Sequence, residues 1–347
     1  MATPSSTPVK DCLAVRSLGT TGMAISPVGL GAWAMGGTEW GRQDDEHSIR
    51  AIRRALERGV NWIDTAPIYG LGHSEELVRR ALKETPAAER PYVFTKCGLV
   101  WDEGNREGPP RRVGSAESLQ RELDDSLRRL GVERIDLYQM HRPADDVALE
   151  EYWQTLLELK RAGKVRAVGL SNHTIEQLER AERLGHVDSL QPPFSAIRRQ
   201  TAAEIAWCRA HRTGVIVYSP MQAGLLTGTF TAERAHSLPQ EDWRTRDAQF
   251  AGDALARNLQ LAEALKPVAA RRGTTVASVA VAWALAWPGV TGAIVGARNP
   301  TQVDGWIGAA TLELTEADLR EITAAIARTG AGAGPSLPPH DRESAAR

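Results

Sequence analysis

The chain has 347 residues, of which 42% are hydrophobic and 24% charged, enough apolar material for a substantial core and too much for a disordered chain. Its 42 basic and 43 acidic side chains leave a net charge of -1, so no overall field draws it to nucleic acid or to an anionic membrane. Cys12, Cys97 and Cys208 match neither a disulfide framework nor a zinc site, and no apolar run approaches about 18 residues, so a reducing, cytoplasmic setting without metal or membrane is expected.

Residues 1–14 carry no basic segment followed by an apolar run and read as a flexible N-terminus without a secretion signal. Residues 15–25 form two short strands around Gly19, Thr20, Thr21 and Gly22, a hairpin placed as a lid or plug. Short apolar runs then alternate with amphipathic segments: strands at 28–30 and 61–63 with helices at 45–58 and 74–83, then a strand at 92–95 and a helix at 115–130. Strands at 135–140, 166–170, 188–190, 215–218 and 292–295 follow, with a helix at 146–162. Residues 221–251 show little periodicity, and a second helix at 275–286 precedes the eighth strand. Eight near-continuous apolar strands separated by helices predict an α/β fold, a (β/α)8 TIM barrel over residues 15–327 with long loops over its catalytic face; an open doubly wound sheet is the alternative. Residues 328–347, rich in Gly, Ala and Pro, read as a flexible tail.

Polar residues at the C-terminal ends of barrel strands converge on one face. Asp64, Lys96 and His141 stand at three such ends, and Tyr69 lies in the loop after Asp64. Taken singly, each has a plainer explanation: a capping Asp, a half-buried Tyr, a surface Lys, a satisfied turn His. As a set they describe acid-assisted addition to a carbonyl. A neighbouring ammonium, Lys96, lowers the pKa of a tyrosine from about 10. Asp64 keeps that ammonium charged, and His141 polarises the carbonyl oxygen. The nucleophile stays open at this point.

The stretches 59–66 (GVNWIDTA) with Tyr69 and Gly70, 138–141 (YQMH), 168–172 (VGLSN), 218–220 (YSP) and 225–228 (LLTG) strongly resemble the aldo-keto reductase superfamily, over roughly residues 15–327. The opening loop 31–37 (GAWAMGG) is similar above all to its bacterial branch. The resemblance implies hydride from NADPH/NADP+, with NADH less favoured, and a catalytic tetrad of Asp64, Tyr69, Lys96 and His141. It further implies that Ser171, Asn172 and Gln191 hold the nicotinamide amide, with Asp64 and Trp33 beside it and Tyr218 stacked on the ring. Ser219, Pro220, Met221, Gly224 and Leu225 wrap the pyrophosphate, while Gly296, Arg298 and the following helix receive the adenosine phosphate and Gln302 the adenine. The chain departs from the family at Thr229, often lysine there, and at Trp306, often asparagine. Both bear on cofactor affinity.

Trp33, Trp40, Trp101 and Trp243 all fall in loops near the catalytic face, where ordinary packing is the simpler account of any one. Two or more at the mouth suit a flat or ring-shaped carbonyl; the substrate contacts expected are Trp33, Tyr69, Trp101 and His141. Arg198 and Arg199 read as a solvated basic helix start. Two other readings remain: a Schiff-base aldolase with Lys96 as nucleophile, and a non-catalytic redox-sensing or regulatory subunit such as the potassium-channel β-subunits that resemble this family. The expected partner is a small-molecule carbonyl, the expected state a monomer or weak homo-oligomer.

Overall fold

The computed structural model describes residues 13–37, 39–41 and 43–337. The hairpin β1 (Arg16–Ser17) and β2 (Ala24–Ile25) leads into β3 (Val28–Gly31), α1 (Asp45–Glu57), β4 (Trp62–Asp64), α2 (His73–Leu82) and β5 (Tyr92–Cys97). A small antiparallel pair, β6 (Leu99–Val100) and β7 (Arg111–Arg112), precedes α3 (Ala116–Leu130), β8 (Ile135–Met140), α4 (Leu149–Arg161), β9 (Val165–Ser171) and α5 (Ile175–Glu182). Then come β10 (Ser189–Gln191), α6 (Ala202–His211), β11 (Gly214–Tyr218), α7 (Ala232–His236), α8 (Gly252–Arg271) and α9 (Val276–Leu285). The described chain ends with β12 (Gly292–Gly296), α10 (Pro300–Trp306) and α11 (Glu316–Thr329).

Eight parallel strands close into a barrel in the order β3, β4, β5, β8, β9, β10, β11, β12, with β12 pairing back to β3. Burial on both faces explains why these strands read as short apolar runs without polar alternation. The first hairpin is a plug: its Leu18, Met23 and Ile25 pack in one cluster with the inward-pointing Trp62, Phe94, Leu137, Ala167, Ile216 and Ile294. Trp62 fills the bottom of the barrel, its indole N–H donating to Ser26 O at 2.9 Å, and the missing side chain of Gly29 makes room for its ring.

Three expectations change. The chain beyond 328 is held rather than loose as far as Gly334: Arg199 N donates to Ala333 O at 2.9 Å and Ala333 N to Ile197 O at 3.0 Å. Arg199 is accordingly not solvated but 4% exposed, its guanidinium donating to the carbonyls of Ala196, Ala331 and Gly334. The stretch 221–251 holds α7 and three short helical turns, and α8 follows it as a 20-residue helix with Pro267 inside. Residues 1–12 and 338–347, parts of the two expected flexible ends, lie outside the described residues.

Candidate active site

Side chains on a strand point the same way every second residue. Two positions above the apolar floor of Trp62, Phe94 and Leu137, each strand therefore points its next inward residue toward the C-terminal mouth: Asp64, Lys96 and Gln139. The register agrees, with Lys96 level with Gln139 across β5 and β8. Lys96 lies within β5, one residue short of its end, and His141 directly follows β8.

Lys96 is fully buried and makes three bonds through Nζ: to Asp64 Oδ1 at 2.6 Å, to Thr65 O at 2.9 Å and to Tyr69 Oη at 3.3 Å. The second Asp64 oxygen accepts from Gln191 Nε2 at 2.8 Å, so both carboxylate oxygens are used. Tyr69 and His141 stand edge to face with centroids 5.9 Å apart. Tyr69 is brought there by a turn in which Gly70 and Gly36 touch backbone to backbone, leaving no space for a Cβ on either. The structure thus gathers all four residues picked from the sequence.

Burial pushes the Tyr69 phenol up from 10.0; the pull of Lys96 downward, partly offset by Asp64, does not overcome it. The expected lowering by Lys96 is present as a contribution and loses to desolvation. Burial also works against the Lys96 ammonium, but Asp64 and Tyr69 outweigh it and the pKa lies above 10.5. His141 is driven well below 6.5 by burial, then by Lys96 and Arg142, so at neutral pH it is an uncharged imidazole with one N–H to donate.

Beside the tetrad, Ser171 Oγ donates to Gln191 O at 2.9 Å and Asn172 Nδ2 to His141 O at 3.0 Å, while Tyr218 Oη donates to Asn172 Oδ1 at 2.8 Å. Asn172 adopts φ 61°, a conformation that asparagine tolerates better than most residues. His173 braces this corner. Its Nδ1 faces Ser171 O at 2.9 Å, which can only accept, so Nδ1 carries the proton and Nε2 accepts from Tyr152 Oη at 2.8 Å.

After Tyr218 the backbone runs through three non-glycine residues of positive φ, Ser219 (57°), Gln222 (46°) and Ala223 (51°), and then Gly224 (108°). Such strain persists where surrounding contacts enforce it and clusters at ligand sites. Pro220, Met221 and Leu225 lie in the same run, with Leu225 buried. Across the mouth, exposed Gly296 ends β12 with nothing nearer than Gly31 O at 3.9 Å where a Cβ would stand, and Arg298 follows. Gln302 Oε1 accepts from Arg298 N at 2.7 Å, so the expected adenine contact also braces this loop. Helix α10 is only seven residues long and capped by Asn299, so the guanidinium is the stronger anion ligand here; Trp306 is buried in the core.

Over the tetrad, Trp33 stacks on Trp243 at 5.4 Å, meets Trp40 edge-on at 5.1 Å and lies 6.3 Å from Tyr69. Trp40 and Trp243 close the triangle at 5.7 Å, and Trp243 N donates to Glu39 O at 2.9 Å. Trp101 stands apart, its indole N–H donating to Glu103 at 2.8 Å. Gln139 and Arg244 are neighbours that sequence reasoning missed. Gln139 follows Leu137 by two positions and could have been found by that spacing; Arg244 sits in the stretch without periodicity and gave no signal.

Residues 27–327 match the aldo/keto reductase family. The chain belongs to that family. It is 35% identical over 315 residues to the aldo-keto reductase YhdN of Bacillus subtilis (strain 168), covering 90% of this chain and 93% of that one. It is equally 35% identical over 329 residues to the NADH-specific methylglyoxal reductase of Escherichia coli (strain K12), with 90% and 98% covered. The structure of a glycerol dehydrogenase from Gluconobacter oxydans superposes with a TM-score of 0.83 at 35% identity, covering 93% of this chain and 98% of the other. Membership makes the chain an oxidoreductase of small molecules that works with a nicotinamide cofactor and implies carbonyl reduction. Among the described residues no helix is long and apolar enough to cross a membrane.

Proposed function

We propose that this reductase converts an aldehyde or ketone reversibly to an alcohol, preferring NADPH to NADH, with Tyr69 as the proton donor. The carrying observation is the single buried ammonium of Lys96 bridging Asp64 Oδ1 at 2.6 Å and Tyr69 Oη at 3.3 Å. Bound NADPH supplies the hydride. The chain's residues do the rest: neutral His141 donates to the carbonyl oxygen, and Tyr69, protonated at neutral pH, passes its proton to that oxygen as charge develops. Lys96 stabilises the phenolate left behind and is itself held charged by Asp64.

The residues fit such a cofactor. The strained run from Ser219 to Gly224 and the exposed, side-chain-free strand end at Gly296 leave backbone open to an extended dinucleotide, and Ser171, Asn172, Gln191 and Tyr218, joined to one another and to the tetrad by hydrogen bonds, would surround its amide end. The preference for NADPH rests on Arg298, partly buried without a carboxylate partner among the described residues; the Escherichia coli relative named NADH-specific makes it a point to test. Trp33, Trp40 and Trp243 support a flat or ring-shaped carbonyl. The raised Lys96 pKa speaks against the aldolase alternative, since a protonated amine does not attack.

Replacing Tyr69→Phe is expected to abolish reduction across a carbonyl panel while NADPH still quenches tryptophan emission. Retained turnover would defeat the mechanism.

A further inference from the structure

Three guanidiniums, from three separate segments, gather at the end of the site away from Lys96. Arg234 on α7 and Arg244 each lie 5.9 Å from the centroid of Phe230. Arg244 also covers the Trp40 ring at 4.9 Å, and Arg298 Nη1 donates to Trp40 O at 3.4 Å. Phe230 is buried and Trp40 partly so, which gives the cluster low-dielectric walls.

The charges do not balance. Asp242, buried, hydrogen-bonds within this trio only to Arg244: Oδ1 accepts from Nε at 2.9 Å and Oδ2 from Nη2 at 2.6 Å, and it acts on Arg298 only through a weaker, longer-range attraction. Arg244 spends a further donor on Ala223 O at 3.2 Å. It is therefore a neutralised strut that ties this corner to the strained run. Arg234 and Arg298 have no carboxylate partner among the described residues, and each keeps guanidinium donors free. Burial, then Arg244 and Arg234, push the Arg298 pKa down against a smaller opposing pull from Asp242, so the like charges outweigh the one carboxylate.

We propose that Arg234 and Arg298 together grip a phosphate monoester, and that Arg234 is thereby a specificity-determining residue for the phosphorylated dinucleotide. The inference rests on the nicotinamide-cofactor reading above. Two guanidiniums with no hydrogen-bonded carboxylate match the charge of a phosphate monoester near neutrality, and their planar forks suit its oxygens. A diphosphate would also satisfy the charge, but it is common to NADPH and NADH, whereas only NADPH carries the monoester.

The test is titration of tryptophan emission in the full chain with NADPH, NADH, adenosine 2′-phosphate and adenosine 5′-phosphate, for the wild type, Arg298→Gln, Arg234→Gln and Arg234→Glu. The wild type should bind the 2′-phosphate more tightly than the 5′-phosphate. Arg234→Gln should lower the NADPH-to-NADH affinity ratio by on the order of five- to tenfold, since Arg234 is exposed and its contact is screened. Arg234→Glu should lower it further. Selectivity lost in Arg298→Gln but kept in both Arg234 variants would overturn the role of Arg234 and leave the cofactor reading standing. Equal losses for NADPH and NADH would overturn the monoester in favour of the diphosphate. No binding of either dinucleotide to the wild type would remove the cofactor reading, and this proposal with it.

Discussion

Asp64 and Lys96 form a pair whose energetics can be separated by a double-mutant cycle. Their side chains are 3% and 0% exposed with 2.6 Å between charged atoms, so neither can turn to water when its partner is removed. Removing one partner of a buried pair costs about 3–5 kcal/mol, mostly from the charge left behind. Asp64→Leu also takes from Gln191 Nε2 the shorter of its two bonds, leaving the one to Gln139 Oε1 at 3.3 Å, which adds about 1 kcal/mol; Lys96→Met leaves Asp64 with Gln191 alone. The double variant Asp64→Leu/Lys96→Met leaves no buried charge and should be less destabilised than either single, with a coupling of about 3 kcal/mol. Urea midpoints by tryptophan emission at constant slope measure this. The pH dependence has a definite sign. The Lys96 pKa is raised on folding, so its contribution is fully present below the unfolded lysine value near 10.4 and lost only as pH rises through the higher folded value. The cycle should read the same at pH 6 and pH 8. Single losses below about 1 kcal/mol, or a double equal to the sum of the singles, would refute the idea that this ammonium is desolvated and dependent on Asp64.

Because His141 is pulled well below 6.5 and Tyr69 lies above 10.0, the rate of carbonyl reduction should show no ionisation limb between those values; a midpoint near 7 in kcat/KM would contradict both assignments. Glu122 on α3 accepts from Gly98 N at 2.8 Å, and burial raises its carboxyl from 4.5 to about 7. Its contribution to stability is thus fully present below the unfolded value and lost as pH rises through 7. Glu122→Gln should accordingly gain on the wild type between pH 5 and pH 8 by up to about 3 kcal/mol in urea unfolding, and an unchanged gap would refute the shift. Arg199→Met orphans the carbonyls of Ala331 and Gly334, at about 1–3 kcal/mol, and should open residues 330–337 to limited proteolysis, whereas wild-type resistance in the variant would show that Arg199 does not hold that segment.

What was legible in the sequence follows from what is local. Strand runs such as 135–140 and 292–295 were found because burial on both faces makes most of their residues apolar, and eight of them are what a barrel needs. The tetrad was legible because strand ends converge, a rule of the fold rather than of any one residue. Helix α8 escaped notice: Pro267 inside it argues locally against a helix, and packing against α9 and α11 prevails. The burial of Arg199 could not be read either, since two of its three carbonyl partners, Ala331 and Gly334, lie more than 130 positions away in the chain. The tryptophans were noticed singly, but their triangle depends on loops 33–40 and 242–246 meeting over Tyr69.

The charges at the two ends of the site differ in kind. Among the buried groups around Lys96 the charges close locally: one ammonium, one carboxylate, a second carboxylate oxygen taken by Gln191 and a neutral imidazole beside them, while Arg142, which also acts on that imidazole, is exposed to solvent. Around Arg298, three guanidiniums face a single carboxylate, hydrogen-bonded to Arg244 and only weakly attracting Arg298. A chain of net charge -1 cannot steer an anion as a whole, so attraction must come from that local excess. On the proposed reading this fixes polarity before any specific contact forms. The phosphorylated end of a dinucleotide is drawn to Arg234 and Arg298, and the uncompensated charge is kept away from Tyr69, where a second ammonium-like neighbour would favour phenolate and strip the acid of its proton.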